Sequence, residues 1–202
     1  MNPSEFWALV ALATAMSFSP GPNTTLSTAL AANGGLRHAL PFVCSVPVGW
    51  ALLLIACGLG LGALLLAVPA LVWVIKAIGV GYLMWLALRL ARSSRLGEVG
   101  AGLRVGFFQG VALQFVNIKA WMLALTVFGG WVAGQSELAL RLGQVVPIMM
   151  FYALLSNLTY ALVGSLLRHW LAGPDGSAMR LLWFNRLMAA VLAATGLWML
   201  LR

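Results

Sequence analysis

Charged side chains are scarce in this sequence. They make up 8% of its 202 residues, with 4 acidic and 12 basic side chains. Soluble globular domains carry about a quarter of charged residues, which cover their water-exposed surface. Hydrophobic residues reach 62% instead, and the mean hydropathy is +0.99. A water-soluble fold is therefore excluded, and the composition predicts an integral membrane protein that contacts the lipid bilayer.

The apolar stretches also lack the groups that an enzyme would need. No Asp or Glu lies deep within them, and the two histidines, His38 and His169, stand at their ends. An intramembrane hydrolase requires a nucleophile with a base, or a metal cluster, at bilayer depth. We therefore predict no enzymatic activity and no cofactor or metal site.

The two cysteines do not support a thiol-disulfide electron carrier. Cys44 and Cys57 fall on one predicted helix, about 20 Å apart along its axis, which exceeds the reach of a disulfide. The net charge of +8 does not indicate nucleic-acid binding either, because the arginines stand at the ends of apolar runs. The N-terminus has no basic segment of the kind that precedes a cleaved signal peptide.

Six apolar runs are long enough to cross a bilayer, which takes about 20 residues of helix. The sequence therefore predicts an all-α membrane protein whose residues 1–202 form a single transmembrane domain. The six predicted spans cover residues 6–32, 39–67, 69–91, 105–133, 142–168 and 182–201.

The arginines are distributed unequally between the predicted loops. Basic loops are retained in the cytoplasm, so both termini are predicted to lie outside and the loop 92–104 inside. On a six-helix count, the inner side has Arg37, Arg89, Arg92, Arg95, Arg104, Arg168, Arg180 and Arg186, and the outer side has Arg141 and Arg202.

The two halves of the chain, 1–91 and 105–202, contain weakly matching segments in the same order. Each half has three spans, so the second half enters the membrane from the opposite face. This predicts two inverted three-helix repeats, which in transporters enclose a substrate site near the midplane. Composition bias among apolar helices is the alternative explanation. The matches are Asn23 with Asn117, SVPVGW at 45–50 with VVPIMMFY at 145–152, and 81–85 with 196–200.

The first span is interrupted at its centre by Ser19, Pro20, Gly21, Pro22 and Asn23. Each proline lacks an N–H, so two carbonyl groups of the preceding turn lose their partners. Freed backbone groups are tolerated at bilayer depth only where protein or water satisfies them. We therefore predict a broken helix beside a cavity, with the second half-helix directing its N–H groups toward a substrate carboxylate. A kink that only shapes packing is the alternative.

The fourth span has Asn117 and Lys119 at its centre. A lysine there costs roughly 2.5–3.5 kcal/mol even on translocon-insertion scales, and such residues face the bundle interior. We predict that both side chains contribute to the site. Asn157 in the fifth span is a secondary candidate, although it and Tyr160 could equally form interhelical hydrogen bonds. Lys76 lies close enough to the end of the third span to extend to the interface, so its assignment stays open.

The absence of intramembrane carboxylates bears on the substrate. Glu5, Glu98, Glu137 and Asp175 all lie in loops or near helix ends, so a buried cation would find no counter-charge. This disfavours a cationic substrate and a carboxylate proton relay. It favours a substrate whose own carboxylate binds a lysine and a helix N-terminus.

Four segments of the chain resemble the LysE/RhtB family of amino-acid exporters, over essentially the whole length. The resemblance makes Lys76 a weaker third candidate for the site. Ile118 stands where the family has Pro between Asn and Lys, which predicts a less interrupted fourth helix here. The segments are SPGPN at 19–23, VIKAIGVGYLMWLALRL at 74–90, FFQGVALQFVNIKAW at 107–121 and FNRLMAAVLAATG at 184–196.

This resemblance implies export of amino acids or related metabolites from the bacterial cytoplasm across the inner membrane, with the proton as coupling ion. Family members carry basic or small neutral amino acids, and the lack of deep carboxylates favours the neutral group here. We therefore predict a secondary exporter that works by alternating access. A passive pore is the main alternative, because broken helices also line pores. Gly-rich helix faces would allow a homodimer, which nothing in the sequence requires.

Overall fold

A computed structural model describes residues 1–93, 103–173 and 179–201, and this part of the chain is helical without strands. The predicted all-α fold is thereby confirmed. Most of the predicted basic loop 92–104 lies outside the described residues, as do Arg95, Glu98, Asp175 and Arg202. The elements are α1 (Pro3–Phe18), α2 (Pro22–Gly34), α3 (Leu36–Gly58), α4 (Leu61–Ala67), α5 (Pro69–Ala91), α6 (Phe107–Val116), α7 (Ile118–Val127), a π-helical turn (Phe128–Val132), α8 (Leu138–Ala172) and α9 (Met179–Leu201).

Among the described residues, four helices are long and apolar enough to cross a membrane, namely α3, α5, α8 and α9. The helices α6 and α7, together with the π-helical turn, form a bent pair that meets the same criterion as a fifth span. The predicted span 6–32 is divided between α1 and α2, of 16 and 13 residues, each short of the roughly 20 residues that a crossing needs. The chain is a multi-pass membrane protein with four or five spans by this measure.

Two predicted spans differ in extent from the observed helices. The span 39–67 is two helices, because α3 ends at Gly58 and Gly60 adopts φ +101° before α4 begins. That left-handed conformation is open to glycine at no steric cost. The span 142–168 is longer than predicted: α8 has 35 residues, or roughly 52 Å of helix. It ends at Ala172, and the next residue, Gly173, has φ +69°.

The half-helix α2 lies at the centre of the bundle. Eleven of its 13 residues are buried, and it packs most extensively against α8. At this crossing Gly164 of α8 lies directly against the carbonyl oxygen of Thr28. The helices α3 and α6 approach in the same way, with Gly110 against the side chain of Ser45. Small residues allow such close backbone contacts, which drive helix association in membranes.

Amide side chains fix the far end of α2. Asn33 and Asn185 of α9 exchange two hydrogen bonds of 2.7 and 2.9 Å, and Asn185 also donates to the carbonyl of Ser93 at 2.8 Å. All three residues are buried. Because a buried amide without a partner is costly, this cluster specifies where α2, α5 and α9 meet.

The first turn of α1 is joined to the start of α8. Arg141 donates a hydrogen bond to the carboxylate of Glu5 at 2.8 Å, and the Trp131 indole donates to the Glu5 carbonyl at 2.9 Å. Glu5 precedes the apolar run of α1. The hydrogen bond from Arg141 holds the pKa of the Glu5 carboxyl below its ordinary value of 4.5.

The close contact at Gly164 predicts a steric effect of adding one methyl group. Gly164→Ala would bring its Cβ against the Thr28 carbonyl and should destabilise the protein by about 1–3 kcal/mol through overpacking. Gly143→Ala in the same helix meets open space and should be neutral, or stabilising by up to about 1 kcal/mol. Thermal unfolding of the detergent-solubilised proteins measures both, and equal melting temperatures for the two variants would contradict this packing.

The Glu5–Arg141 pair predicts a pH dependence of stability. Because the pKa of Glu5 is lower in the folded state, its contribution is present above the unfolded-state pKa and is lost as the pH falls through the folded-state pKa. The melting temperature should therefore fall between about pH 5 and about pH 3, and this fall should be smaller in Glu5→Gln. Glu137→Gln, which alters an exposed carboxylate, is the control and should keep the wild-type slope. An unchanged slope in Glu5→Gln would argue against the pair.

Candidate functional site

The first helix breaks where the sequence predicts. The helix α1 ends at Phe18, and α2 begins at Pro22. Pro20 and Pro22 cannot donate to the carbonyls of Met16 and Phe18. These carbonyls instead accept hydrogen bonds from the Ser19 hydroxyl at 2.8 Å and from the Tyr160 hydroxyl of α8 at 2.9 Å. The two groups that the prolines leave unpaired are thus satisfied within the bundle.

Lys119 of α7 occupies the gap between the two half-helices. Its ammonium donates to the Ser19 carbonyl at 2.9 Å, the Ser19 hydroxyl at 2.7 Å and the Pro20 carbonyl at 3.3 Å. In a continuous helix, those two carbonyls would accept from the N–H groups of Asn23 and Thr24. Both N–H groups therefore lack an intrahelical acceptor, at the positive end of the α2 dipole.

Gly21 leaves the space that the Lys119 side chain occupies. A Cβ at this position would lie 3.1 Å from the Lys119 Nζ and 3.2 Å from its Cδ. The backbone of Gly21 is extended, with φ −178°, which any residue can adopt. The glycine therefore matters here for the close approach of Lys119 and not for its conformation.

The fourth predicted span is also broken, with a bend of 71° at Asn117. The expectation that Ile118 would leave this helix less interrupted is wrong. Asn117 itself has an extended backbone, and its side chain caps α7 by accepting from the Lys119 N–H at 3.2 Å. Asparagine is among the preferred N-cap residues, so it starts a new helix without a proline. The break directs Lys119 toward the break in the first helix.

A partly enclosed cavity of about 60 Å³ lies between the two breaks. Seven of the nine residues predicted for the site line it: Ser19, Gly21, Pro22, Asn23, Asn117, Lys119 and Asn157. The rest of the wall is mostly apolar and consists of Met16, Ser17, Thr24, Val46, Trp50, Ala120, Leu123, Met149, Ala153 and Ser156. Lys119 is the charged side chain among these described lining residues, so the cavity has a positive charge and no carboxylate.

Two predicted amides have partners within the bundle. The Asn23 amide exchanges hydrogen bonds of 2.8 and 3.1 Å with Gln114 of α6, and Asn157 accepts from Ser27 at 2.9 Å. Gln114 is fully buried and was absent from the sequence-based prediction. The sequence could have indicated Gln114, because it is a polar side chain in the middle of an apolar span, which is the ground on which Asn117 was predicted.

The other two predicted residues lie elsewhere. Lys76 is on α5, with its ammonium 4.8 Å from the centre of the Trp73 ring, and it is not among the residues that line the cavity. Pro20 lines an adjoining, mainly apolar space of about 590 Å³ between the first break, α7 and α9. Lys119 and Ser19 border both spaces, so their contact forms part of the partition between them.

The described part of the chain contains no cluster of three or more His, Cys, Asp or Glu side chains that could hold a metal ion. Cys44 and Cys57 are both free cysteines on α3. The polar groups of the described cavity lining are the Lys119 ammonium and amide and hydroxyl side chains, beside the first backbone N–H groups of α2.

This chain is similar to one family model and to several known efflux proteins. A family model described as LysE type translocator matches residues 14–202. A cysteine/O-acetylserine efflux protein of Salmonella choleraesuis is 29% identical over 166 residues, which are 81% of this chain and 82% of that protein. Proteins of the same description from Escherichia coli K12 and Klebsiella pneumoniae are 29% and 27% identical, over 81% and 82% of this chain and 82% and 85% of theirs. No solved structure gives a significant match.

The hydrogen bond from Tyr160 predicts the cost of leaving the Phe18 carbonyl unpaired. Tyr160→Phe should destabilise the protein by about 1–3 kcal/mol, because the part-buried Phe18 carbonyl loses its donor. Tyr152→Phe, in the same helix, removes a hydroxyl that makes no hydrogen bond within the described residues, and it should change stability by less than about 0.5 kcal/mol. Chemical or thermal unfolding in detergent provides the measurement. Similar effects of both substitutions would show that the break does not depend on this bond.

Proposed function

The chain belongs to the LysE type translocator family, and on this premise we propose that it exports small neutral amino acids from the bacterial cytoplasm across the inner membrane. It is a translocator and not an enzyme. Transport proceeds by alternating access around the cavity between the two helix breaks, with the proton as coupling ion.

The observation that carries the proposal is the position of Lys119 between the half-helices. A substrate carboxylate would accept from this ammonium and from the N–H groups of Asn23 and Thr24, which have no intrahelical acceptor. The lining residues that the structure describes include no carboxylate, so a second positive charge on the substrate would meet repulsion without compensation. This arrangement favours neutral amino acids over basic ones.

Two amide side chains of the lining supply acceptors for the α-amino group of the substrate. Asn117 and Asn157 line the cavity, and each of their amide oxygens has two lone pairs, of which the observed bonds from Lys119 N–H and Ser27 use one apiece. A volume of about 60 Å³ holds only a few water-sized groups, which suits a small substrate. The relatives' printed names, cysteine/O-acetylserine efflux protein, refer to small neutral amino acids as well.

We further propose six spans, in which α1 and α2 together cross the membrane once, arranged as inverted repeats of residues 1–91 and 105–202. Several paired features support this arrangement. Each half begins with a broken helix, continues with a helix that contains a proline, Pro47 or Pro147, and ends with one of the paired helices α5 and α9. The arginine distribution favours a cytoplasmic loop 92–104 and periplasmic termini.

Transport by purified protein in liposomes tests the function and the site together. Under an imposed pH gradient, wild type should accumulate a labelled small neutral amino acid with saturable kinetics. Lys119→Met should lower this flux by about tenfold or more, because the carboxylate loses a charge-assisted partner. Lys76→Met removes the other intramembrane lysine, away from the cavity, and should keep most of the flux. Both variants need to match wild type in size-exclusion profile.

The outcomes separate the parts of the proposal. Accumulation of lysine or arginine would overturn the charge argument while leaving an exporter. Flux that does not saturate and is independent of the gradient would indicate a pore instead of a carrier. An equal loss of flux in Lys76→Met and Lys119→Met would contradict the assignment of the substrate site to this cavity. It would instead indicate that Lys76 contributes to transport as much as Lys119 does.

A further inference from the structure

Trp50 presents a buried hydrogen-bond donor without an acceptor. The residue lies on α3, lines the cavity and is 4% exposed. Its indole N–H is buried and has no hydrogen-bond partner among the described residues. Folded proteins pair nearly all buried polar groups, and an exception calls for an explanation. An indole nitrogen is a donor only, so neither a flip nor a tautomer can satisfy it.

Other tryptophans of the same region do not share this property. The buried Trp121 donates its N–H to the Phe115 carbonyl at 2.7 Å, and Trp131 donates to the Glu5 carbonyl at 2.9 Å. Trp121 and Trp50 belong to one apolar cluster, but Trp121 is not among the cavity-lining residues. Of these three indoles, the one without a partner among the described residues thus belongs to a residue that lines the cavity.

The surroundings of Trp50 identify the part of a substrate that would reach it. Trp50 packs in a cluster with Ala120, Leu123 and Met149, which also line the cavity. Leu123 lies one helical turn beyond Lys119 on α7. A substrate held at Lys119 by its carboxylate would thus direct its side chain toward an apolar wall with a single donor.

We propose that the Trp50 indole N–H selects amino acids whose side chain carries a hydrogen-bond acceptor, such as a hydroxyl or ester carbonyl oxygen, over hydrocarbon side chains of the same size. This inference rests on the proposed function. A hydrocarbon side chain would leave the buried N–H unpaired, whereas an acceptor completes it. Sites built to hydrogen-bond a substrate group reject analogues that lack it for this reason. Hydroxyl and carbonyl oxygens should be preferred to a thiol, whose sulfur is a weak acceptor.

Homoserine and norvaline test the inference, because they differ only by a terminal hydroxyl in place of a methyl group. Binding to the purified protein in detergent is measured by titration calorimetry. Wild type should bind homoserine about tenfold more tightly than norvaline, as expected for one hydrogen bond that leaves no buried donor unpaired. Trp50→Phe keeps the aromatic ring, removes the N–H, and should reduce the preference to within about twofold. Trp121→Phe is the matched control and should keep the wild-type preference.

A second substitution at position 50 keeps the test valid if Trp50→Phe fails to fold. Incorporation of 3-benzothienylalanine at position 50 replaces the N–H by sulfur with nearly the same shape, and it should abolish the preference in the same way. Equal affinities for homoserine and norvaline in wild type, no binding of either, or a preference that persists in both position-50 variants would each overturn the assignment.

The export function is tested separately by flux into liposomes. If the binding preference depends on Trp50 but no gradient-driven, saturable flux is observed, the assignment of Trp50 stands and the proposed export function fails. If flux is observed but the preference survives both substitutions at position 50, the exporter stands and the role of Trp50 is refuted.

Discussion

The contact between the Lys119 ammonium and the broken first helix is the interaction on which the rest of the structure depends. Carbonyl groups freed in the middle of a membrane need donors, and a lysine at that depth needs acceptors. Here the Lys119 ammonium, from the second half of the chain, donates to the Ser19 and Pro20 carbonyls of the first half at 2.9 and 3.3 Å. Neither half could be buried in hydrocarbon alone at an acceptable cost. The same contact leaves the first N–H groups of α2 beside the cavity, so folding and site formation depend on one interaction.

The polar character of α2 follows from its position. In lipid, apolar side chains gain little from leaving one hydrocarbon environment for another, so close packing and hydrogen bonds determine where helices meet. This helix is joined to α6 through Asn23 and Gln114, to α8 through Ser27 and Asn157, and to α9 through Asn33 and Asn185. The part of the cavity wall that α2 contributes therefore belongs to a helix that is fixed at its start, middle and end. A site that must recognise a small carboxylate benefits from that rigidity.

Much of the candidate site could be predicted from the chemistry of single residues in the sequence. Two prolines within three residues fix a break wherever the helix lies, and a central lysine must face the interior, so seven of the nine residues predicted from the sequence line the cavity. The sequence alone could not assign residues whose role depends on which side chains pack against them. Lys76 and Lys119 are both intramembrane lysines, and only packing reveals that one faces the cavity and the other a tryptophan ring. The prediction for the fourth span failed at Ile118. The missing proline was taken to favour a continuous helix, whereas the adjacent Asn117 caps a new one. The unpaired N–H of Trp50 depends on every neighbour and has no sequence signature.

The proposed carboxylate contact would connect substrate occupancy to the conformation of the first helix. Lys119 and Ser19 border both the cavity between the breaks and the adjoining apolar space, and all three ammonium donors have acceptors at the break. A substrate carboxylate can bind Lys119 only by taking donors away from these groups. The carbonyls then need other partners, which the backbone can supply only by moving. A ligand shifts a conformational equilibrium only by binding the two states differently, and competition for one ammonium provides that difference. A neutral molecule without a carboxylate lacks the charge to compete, so in this mechanism recognition and movement have the same cause.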